Sequence, residues 1–447
     1  MEDLDFIAFP KEATPTAPNA SSAPKLLTSH PPPWQCPLSP SQHRPRPFVR
    51  LHNEILSFCD FSSPSRLELS QRRIAFEEVK DCILSLFPSA TVEIFGSHLT
   101  GIITPSSDID IAMLNVPIKS TTQRINSTSK SKKKKEAVDG GEEVVVAEEE
   151  EEEDVLGPLF LLAELLKERR LVSYCEVISS AKVPIVKLDH RATGISVDIC
   201  CNNSSGLATG ALMRAFAKEF PPMRPLTMVL KVFLAQRRMN DTYNGGVGSF
   251  LLCGLIVSFL QMRLRREKTQ ARRLSWNLGA LLLDFFELYG LRFNYVHTGI
   301  SLNEDGAYFS KYARGGDWFN RNRPNMLALE NPSSTDLDIG RSSFMMAKIR
   351  RSFEHAHQLL CAALVDDRIE SYLSYVIRTD DPLLINRAPP ELGASRYNQF
   401  EDLVKSPEKS NTSSKRKDKE GANDSNSATT PLNKKRKIDA GELKSSR

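Results

Sequence analysis

The sequence contains no CxxC pair. Its eight cysteines, at positions 36, 59, 82, 175, 200, 201, 253 and 361, are scattered. No zinc site or disulfide framework can be read from that spacing, and free thiols in a reducing compartment are the expectation. A long apolar run is also missing. The longest, "FLLCGLIVSFLQM" from Phe250 to Met262, falls short of the ~20 residues a spanning helix needs. The N-terminus shows no secretory signal pattern. Net charge is small, +4 over 447 residues, so bulk charge argues for no partner. A soluble intracellular protein, with no membrane partner, is expected.

What is present is a hydrophobic content of 40%, enough for a core, and charge gathered into runs. Residues 1–47 include a Pro-, Ser- and Thr-rich stretch with "HPPPWQCPLSP", a composition that cannot fold alone. Helical spacing begins at "FVRLHNEILSFCDF", and a second helix over about 66–86 ends at Phe87-Pro88. "TVEIFG" and "DIDIAML" read as strands. Low-complexity Lys and Glu runs at 119–154 read as a charged insertion, with strand-like sequence resuming beyond them. "VISSAKVPIVKLDH" and "ISVDICC" read as two more strands. Helices are predicted at about 207–219, 226–239, 249–263, 276–289 and, after a loop-rich stretch, 343–364. Beyond about Pro389 the chain is polar and charged.

The strand "DIDIAML" raises a question of chemistry. Side chains two apart on a strand share a face, so Asp108 and Asp110 project together while Ile109 and Ile111 face inward. Two close carboxylates repel unless a cation lies between them; Mg²⁺ or Mn²⁺ suits such oxygen ligands. The alternative is a pair at a solvated strand edge. Gly96-Ser97, directly after "VEIF", favours the first reading, because Gly lets a backbone approach a phosphate closely. A third acid, Asp198, interrupts the apolar "ISVDICC". Three acids on neighbouring strands beside Gly-Ser fit two-metal phosphoryl chemistry.

"FGSHLTGIITPSSDIDIAML" resembles the signature of the DNA polymerase β-like nucleotidyltransferases. With "AKVPIVKL", "LKVFLAQRRMNDTYNGGVGSFLLCGLIVSFLQM" and "RPNMLALENPSSTDLDIGRSSFMMAKIRRSF", the likeness extends over about residues 48–378 to the noncanonical poly(A) polymerases of the TRAMP nuclear RNA-surveillance complex. It implies an α+β fold: a palm-like catalytic domain with a mixed sheet (66–118 and 155–205) and a mainly helical central domain (206–378). An N-terminal helix (48–65) would pack on the latter, and disordered tails (1–47 and 379–447) would flank the whole.

The resemblance also implies roles. ATP would lie between the two domains, with Asp108 and Asp110 holding both metals. Asp198 would hold the metal that activates the RNA 3′-OH and could act as its general base. Gly96 and Ser97 would contact phosphates. Lys231, in "TMVLKVFLAQ", either snorkels outward or reaches a phosphate. Ala235 stands where some relatives carry a second basic residue, which leaves Arg237 or Arg238 to substitute. Ser249 would meet the triphosphate, and Phe250 either stacks on the base or packs in the core. Ser205 stands where relatives often place a ribose-binding Asn, with Asn202 and Asn203 nearby. In the base-reading loop, about 324–345, Asp338 and Arg341 are the candidates; the alternative is a capped helix start with a salt bridge.

The basic "RLRREKTQARR" (263–273) either follows RNA phosphate or solubilises a loop. "KRKDKE" and "NKKRKID" fit import into the nucleus, including the nucleolus. No separate RNA-binding module is recognisable, which suggests dependence on the family's partners: a zinc-knuckle RNA-binding protein, an RNA helicase and the nuclear exosome. The expected activity is ATP:RNA 3′-adenylyl transfer to RNA 3′ ends. The rivals are a terminal uridylyltransferase and an inactive scaffold.

Overall fold

A computed structural model describes residues 32–35, 46–104, 106–118, 155–266 and 276–387. The charged insertion, most of "RLRREKTQARR", and the basic C-terminal clusters lie outside the described residues.

Two helices open the fold, α1 (Pro47–Ser62) and α2 (Arg66–Leu86). Pro47 supplies the fixed φ suited to a first helical turn. Ser65 and Glu68 form a reciprocal capping box, each side chain taking the other's backbone N–H, worth roughly 1 kcal/mol. Next come β1 (Thr91–Phe95), a single turn α3 (Gly96–Thr100), β2 (Ile109–Leu114), α4 (Leu156–Glu168), β3 (Val172–Ile178), β4 (Ile185–His190) and β5 (Ser196–Cys201). The sheet order is β1-β2-β5-β4-β3. Only β2 and β5 run parallel; every other neighbouring pair is antiparallel. Ile109, Ile111, Val186, Leu188, Val197 and Ile199 face α2 and α4 in one core.

The second core is helical. It is built from α5 (Ser205–Glu219), α6 (Met223–Ala235), α7 (Ser249–Arg266) and α8 (Leu278–Glu287), with a π-helical turn at Leu288–Arg292. Then come β6 (Thr298–Ser301), β7 (Ala307–Ser310), α9 (Lys311–Arg314), β8 (Glu330–Asn331), β9 (Ser334–Asp338), α10 (Met346–Leu364) and α11 (Pro382–Ile385). Leu51, Ile55 and Phe58 of α1 belong to this core, beside Phe233, Phe285 and Phe353. The fold class is therefore α+β, a mixed sheet with helices beside a mainly helical unit.

Four features depart from the sequence reading. α4 occupies the stretch expected to resume as strand; its uniform apolar face hides the helical period. "VISSAKVPIVKLDH" is not one strand: it holds the end of β3, a turn and the whole of β4, which pair as a hairpin. The loop-rich stretch before α10 holds two small two-stranded sheets, β6–β7 and β8–β9. And Trp34, in the Pro-rich region, is 3% exposed. Its Nε1–H donates to Glu54 at 3.1 Å, and its ring meets Phe58 edge-on at 5.1 Å. That segment borrows the helical core rather than building its own.

Candidate active site

Parallel pairing sets Asp110 on β2 directly beside Asp198 on β5. Asp108 lies just before β2 and, two residues from Asp110, shares its face. One oxygen from each of the three carboxylates falls within a group spanning 4.8 Å. Such crowding has a measurable consequence. Burial, then the charges of Asp108 and Asp198, push Asp110 up to about 7, although the Ser97 backbone N–H donates to it. Asp198 is also raised, first by burial; the Lys187 ammonium, 3.1 Å from its Oδ1, works the other way.

Gly96 has φ +63°, and a Cβ there would lie 1.9 Å from the Asp110 Oδ2. Only glycine permits so close an approach at that φ. α3 is held from the helical unit: Arg214 donates to the Leu99 carbonyl at 2.7 Å, and Arg224 to the Gly101 carbonyl at 2.9 Å. Beside it the Ser97 hydroxyl and both His98 ring nitrogens are buried without partners. Burial first, then the charges of Arg72 and Lys231, hold His98 down at about 3, so its ring is neutral.

Lys231 does not snorkel outward. Its Nζ crosses to the sheet unit, 3.3 Å from the Ile102 carbonyl and 3.5 Å from the Ser107 Oγ. It lines a small cavity, about 50 Å³, together with Thr104, Ser106, Asn240 and Ser249. Burial lowers its pKa, and Asp108 and Asp110 oppose that. Ala235 lines the same cavity. Arg237 does not substitute for a basic residue there: it donates to the Val376 and Phe233 carbonyls, each at 3.0 Å.

Phe250 is half-buried against the helical core. Ser205 opens α5, its hydroxyl bonded to Asn203. Asn202 pins the end of β5 to Val116 through both N–H and C=O. The Asp338 Oδ1 accepts from the Leu329 and Gly340 backbone N–H groups, at 2.9 and 2.7 Å. Arg341 pairs with Asp317 at 2.7 Å. Asp338 and Arg341 line a separate cavity, which shares no lining residue with the one at Lys231. The structure therefore brings together Gly96, Ser97 and the three aspartates, with Lys231 and Ser249 on the facing helices. It does not bring Asp338 or Arg341 to that cavity.

Three residues escaped the sequence reading. Arg72 donates to the Ser107 carbonyl at 2.6 Å, and the Asp108 charge favours its guanidinium. Lys187 pairs Asp198, and the buried His98 ring feels the charges of Arg72 and Lys231. Lys187 alone carried a signal, a charge that follows the apolar pair Ile185-Val186 in β4.

All-oxygen ligands on a crowded, partly buried face of the sheet fit a hard divalent cation. The Gly96 backbone packs against the Asp110 carboxylate, and the buried Ser97 hydroxyl beside it, lacking a partner, suits a phosphate. The sheet, its acids and the facing helical unit define a nucleotidyltransferase-type fold. Residues 51–218 match the family described as poly(A) RNA polymerase, mitochondrial-like, central palm domain. Residues 277–337 match the Cid1 family of poly(A) polymerases. The chain is similar to the poly(A) RNA polymerase cid14 of Schizosaccharomyces pombe, 31% identical over 313 residues, covering 70% of this chain and 41% of that protein. It is also similar to the inactive non-canonical poly(A) RNA polymerase Trf4-2 of Drosophila melanogaster, 30% identical over 338 residues, covering 75% of this chain and 74% of the relative. Among solved structures it resembles the polymerase core of TRAMP, an RNA surveillance complex, with a TM-score of 0.59 and 27% identity, over 78% of this chain and 96% of that one. The chain belongs to the noncanonical poly(A) RNA polymerase family, of the Cid1 and Trf4 type. It spans under half the length of the first curated relatives it matches.

Proposed function

We propose that this chain is a template-independent ATP:RNA 3′-adenylyltransferase. The observation that carries the reading is the gathering of Asp108, Asp110 and Asp198 within 4.8 Å, with Gly96 packed against Asp110. The RNA 3′-oxygen forms a bond to the α-phosphorus of ATP, the bond to the β-phosphate oxygen breaks, and pyrophosphate leaves. Asp108, Asp110 and Asp198 would hold Mg²⁺ or Mn²⁺, which would neutralise charge and lower the pKa of the attacking hydroxyl. Asp198 takes the hydroxyl proton. Gly96 and the Ser97 hydroxyl receive the phosphates at close range. Lys231 balances charge as pyrophosphate departs, and Arg72 holds the Ser107 carbonyl and so the approach to Asp108. The protein's share is positioning and electrostatics.

In this reading the RNAs are aberrant or noncoding nuclear transcripts, tailed for processing or decay. The partners are a zinc-knuckle RNA-binding protein, an RNA helicase and the exosome, and the location is the nucleus, including the nucleolus. Support comes from the resemblance to the polymerase core of an RNA surveillance complex and from the basic clusters "KRKDKE" and "NKKRKID". A scaffold reading draws on the inactive relative; the complete aspartate triad argues against it.

The test is purified protein with labelled oligo(A), a divalent metal and each nucleoside triphosphate in turn, with and without a zinc-knuckle partner. Tailing with ATP supports the proposal. Better use of UTP makes it a uridylyltransferase, and no extension with any triphosphate makes it a scaffold.

A further inference from the structure

A second cavity, about 270 Å³, opens on the helical unit away from Lys231. Trp318, Phe319, Arg321 and Arg341 line it. Gly315 and Gly316, both at positive φ, turn the chain into the loop that carries the two aromatics. The wall is held from behind. The Arg314 guanidinium stacks 4.1 Å from the Trp318 ring, and Phe309 meets that ring edge-on at 5.3 Å. Lys311, also on the lining, is spent on structure: its ammonium donates to the Tyr295, Pro324 and Met326 carbonyls, which fixes the loop's base.

The rim is accessible and cationic. Phe319 pairs edge-on with Tyr312, which is 71% exposed. Arg321 is exposed, with no ion-pair partner among the described residues. Arg341 pairs with Asp317, but both side chains are more than half exposed, so the pair is worth little and yields readily to a competing anion. A preformed aromatic wall with arginines at its edge is what an unstacked base with flanking phosphates requires.

The geometry points to a binding site for a base of single-stranded RNA in this cavity, stacked on the Trp318–Phe319 wall, with neighbouring phosphates at Arg321 and Arg341. The inference rests on RNA being the substrate, as proposed above, and deepens it: the helical unit itself grips the strand at a place separate from the Lys231 cavity.

The experiment reads binding apart from chemistry. Full-length protein without nucleotide is titrated into a labelled oligo(A) of about 15 nucleotides, and anisotropy is followed at several salt concentrations. Trp318→Ala combined with Phe319→Ala should weaken binding about tenfold to a hundredfold. Arg321→Glu should weaken it and reduce the salt slope by about one. In turnover the same variants should raise KM for RNA and leave KM for ATP unchanged. Phe319→Leu serves where the double variant does not fold. Unchanged RNA affinity in folded variants overturns the site. So does a rise in KM for ATP alone, which would make this the nucleotide's base pocket, or failure of the unaltered protein to bind RNA. Protein that binds RNA through this cavity yet extends it with no triphosphate retains the site while the adenylyltransferase reading fails.

Discussion

Asp110 illustrates at the residue scale how a site can oppose its own fold. Its carboxyl is pushed from an ordinary 3.8 to about 7 by burial and by two neighbouring acids. An acid whose folded pKa lies above its unfolded value favours folding only at low pH. That contribution fades as pH climbs from about 4 through about 7. In EDTA at pH 8, Asp110→Asn should therefore be more stable than the unaltered protein, on the order of 1–2 kcal/mol. The gap should close toward pH 4, with thermal unfolding as the readout; a variant less stable than its parent at pH 8 would contradict the crowding argument. The same variant should lose at least about a hundredfold in tailing. Leu337 offers a second test. It is 46% exposed on β9, next to Asp338, and its apolar side chain offers no hydrogen bond to a uracil carbonyl. Leu337→His should narrow the ATP-over-UTP ratio of kcat/KM about tenfold without abolishing tailing. An unchanged ratio would remove β9 from base selection. The aspartates were legible because a charge interrupting a period-two apolar pattern is conspicuous. Arg72 and His98 were not, because each meets the site through folding and neither breaks its local pattern.

Elements whose pattern was regular were read within a few residues: α2, β1, β2, β5, and the helices from α5 to α8. Elements that depend on partners were missed. β8 has two residues and exists only because β9 and the Ile300–Leu329 bridge hold it. Trp34 shows the same principle in the other direction. A Pro-rich composition argues against independent folding, yet one aromatic can dock where a neighbour offers a site. Glu54 is that neighbour. Half-buried and raised by burial, it also takes N–H groups from Tyr372 and Leu373, at 2.9 and 3.1 Å, and the Ser371 hydroxyl. Trp34 thus ties an N-terminal residue to α1 and to the segment after α10. Trp34→Ala should cost about 3 kcal/mol, read as a fall in denaturant midpoint, with KM for ATP unchanged. A midpoint equal to the parent's would mean the docking contributes nothing to the fold.

At the scale of the whole molecule, two cores of different build share one site, and the ties between them are specific. Arg214 and Arg224 hold α3, and Lys231 spans to the Ile102–Ser107 loop. Arg387 pairs with Glu68 at 2.7 Å and donates to the Ser63 carbonyl at 2.8 Å, which closes the end of the described chain onto the α1–α2 junction. None of these ties involves the segment between 118 and 155. β2 ends at Leu114, its last residues secured by Asn202 to Val116, and α4 begins at Leu156 with Leu159, Leu162 and Leu166 in the sheet's core. Both flanks are fixed by contacts of their own among the described residues. Shortening a connection changes closure entropy only slowly, by about 0.6 kcal/mol for each halving. Replacing Gln123–Asp154 with a short Gly-Ser linker should therefore leave the unfolding midpoint nearly unchanged. Tailing of oligo(A) should stay within about twofold, because every residue assigned to the reaction lies outside the deleted span. Lost folding would show that the span carries structure on which α4 depends. Intact folding with lost tailing at limiting RNA, restored at saturating RNA, would make the Lys run part of the RNA path.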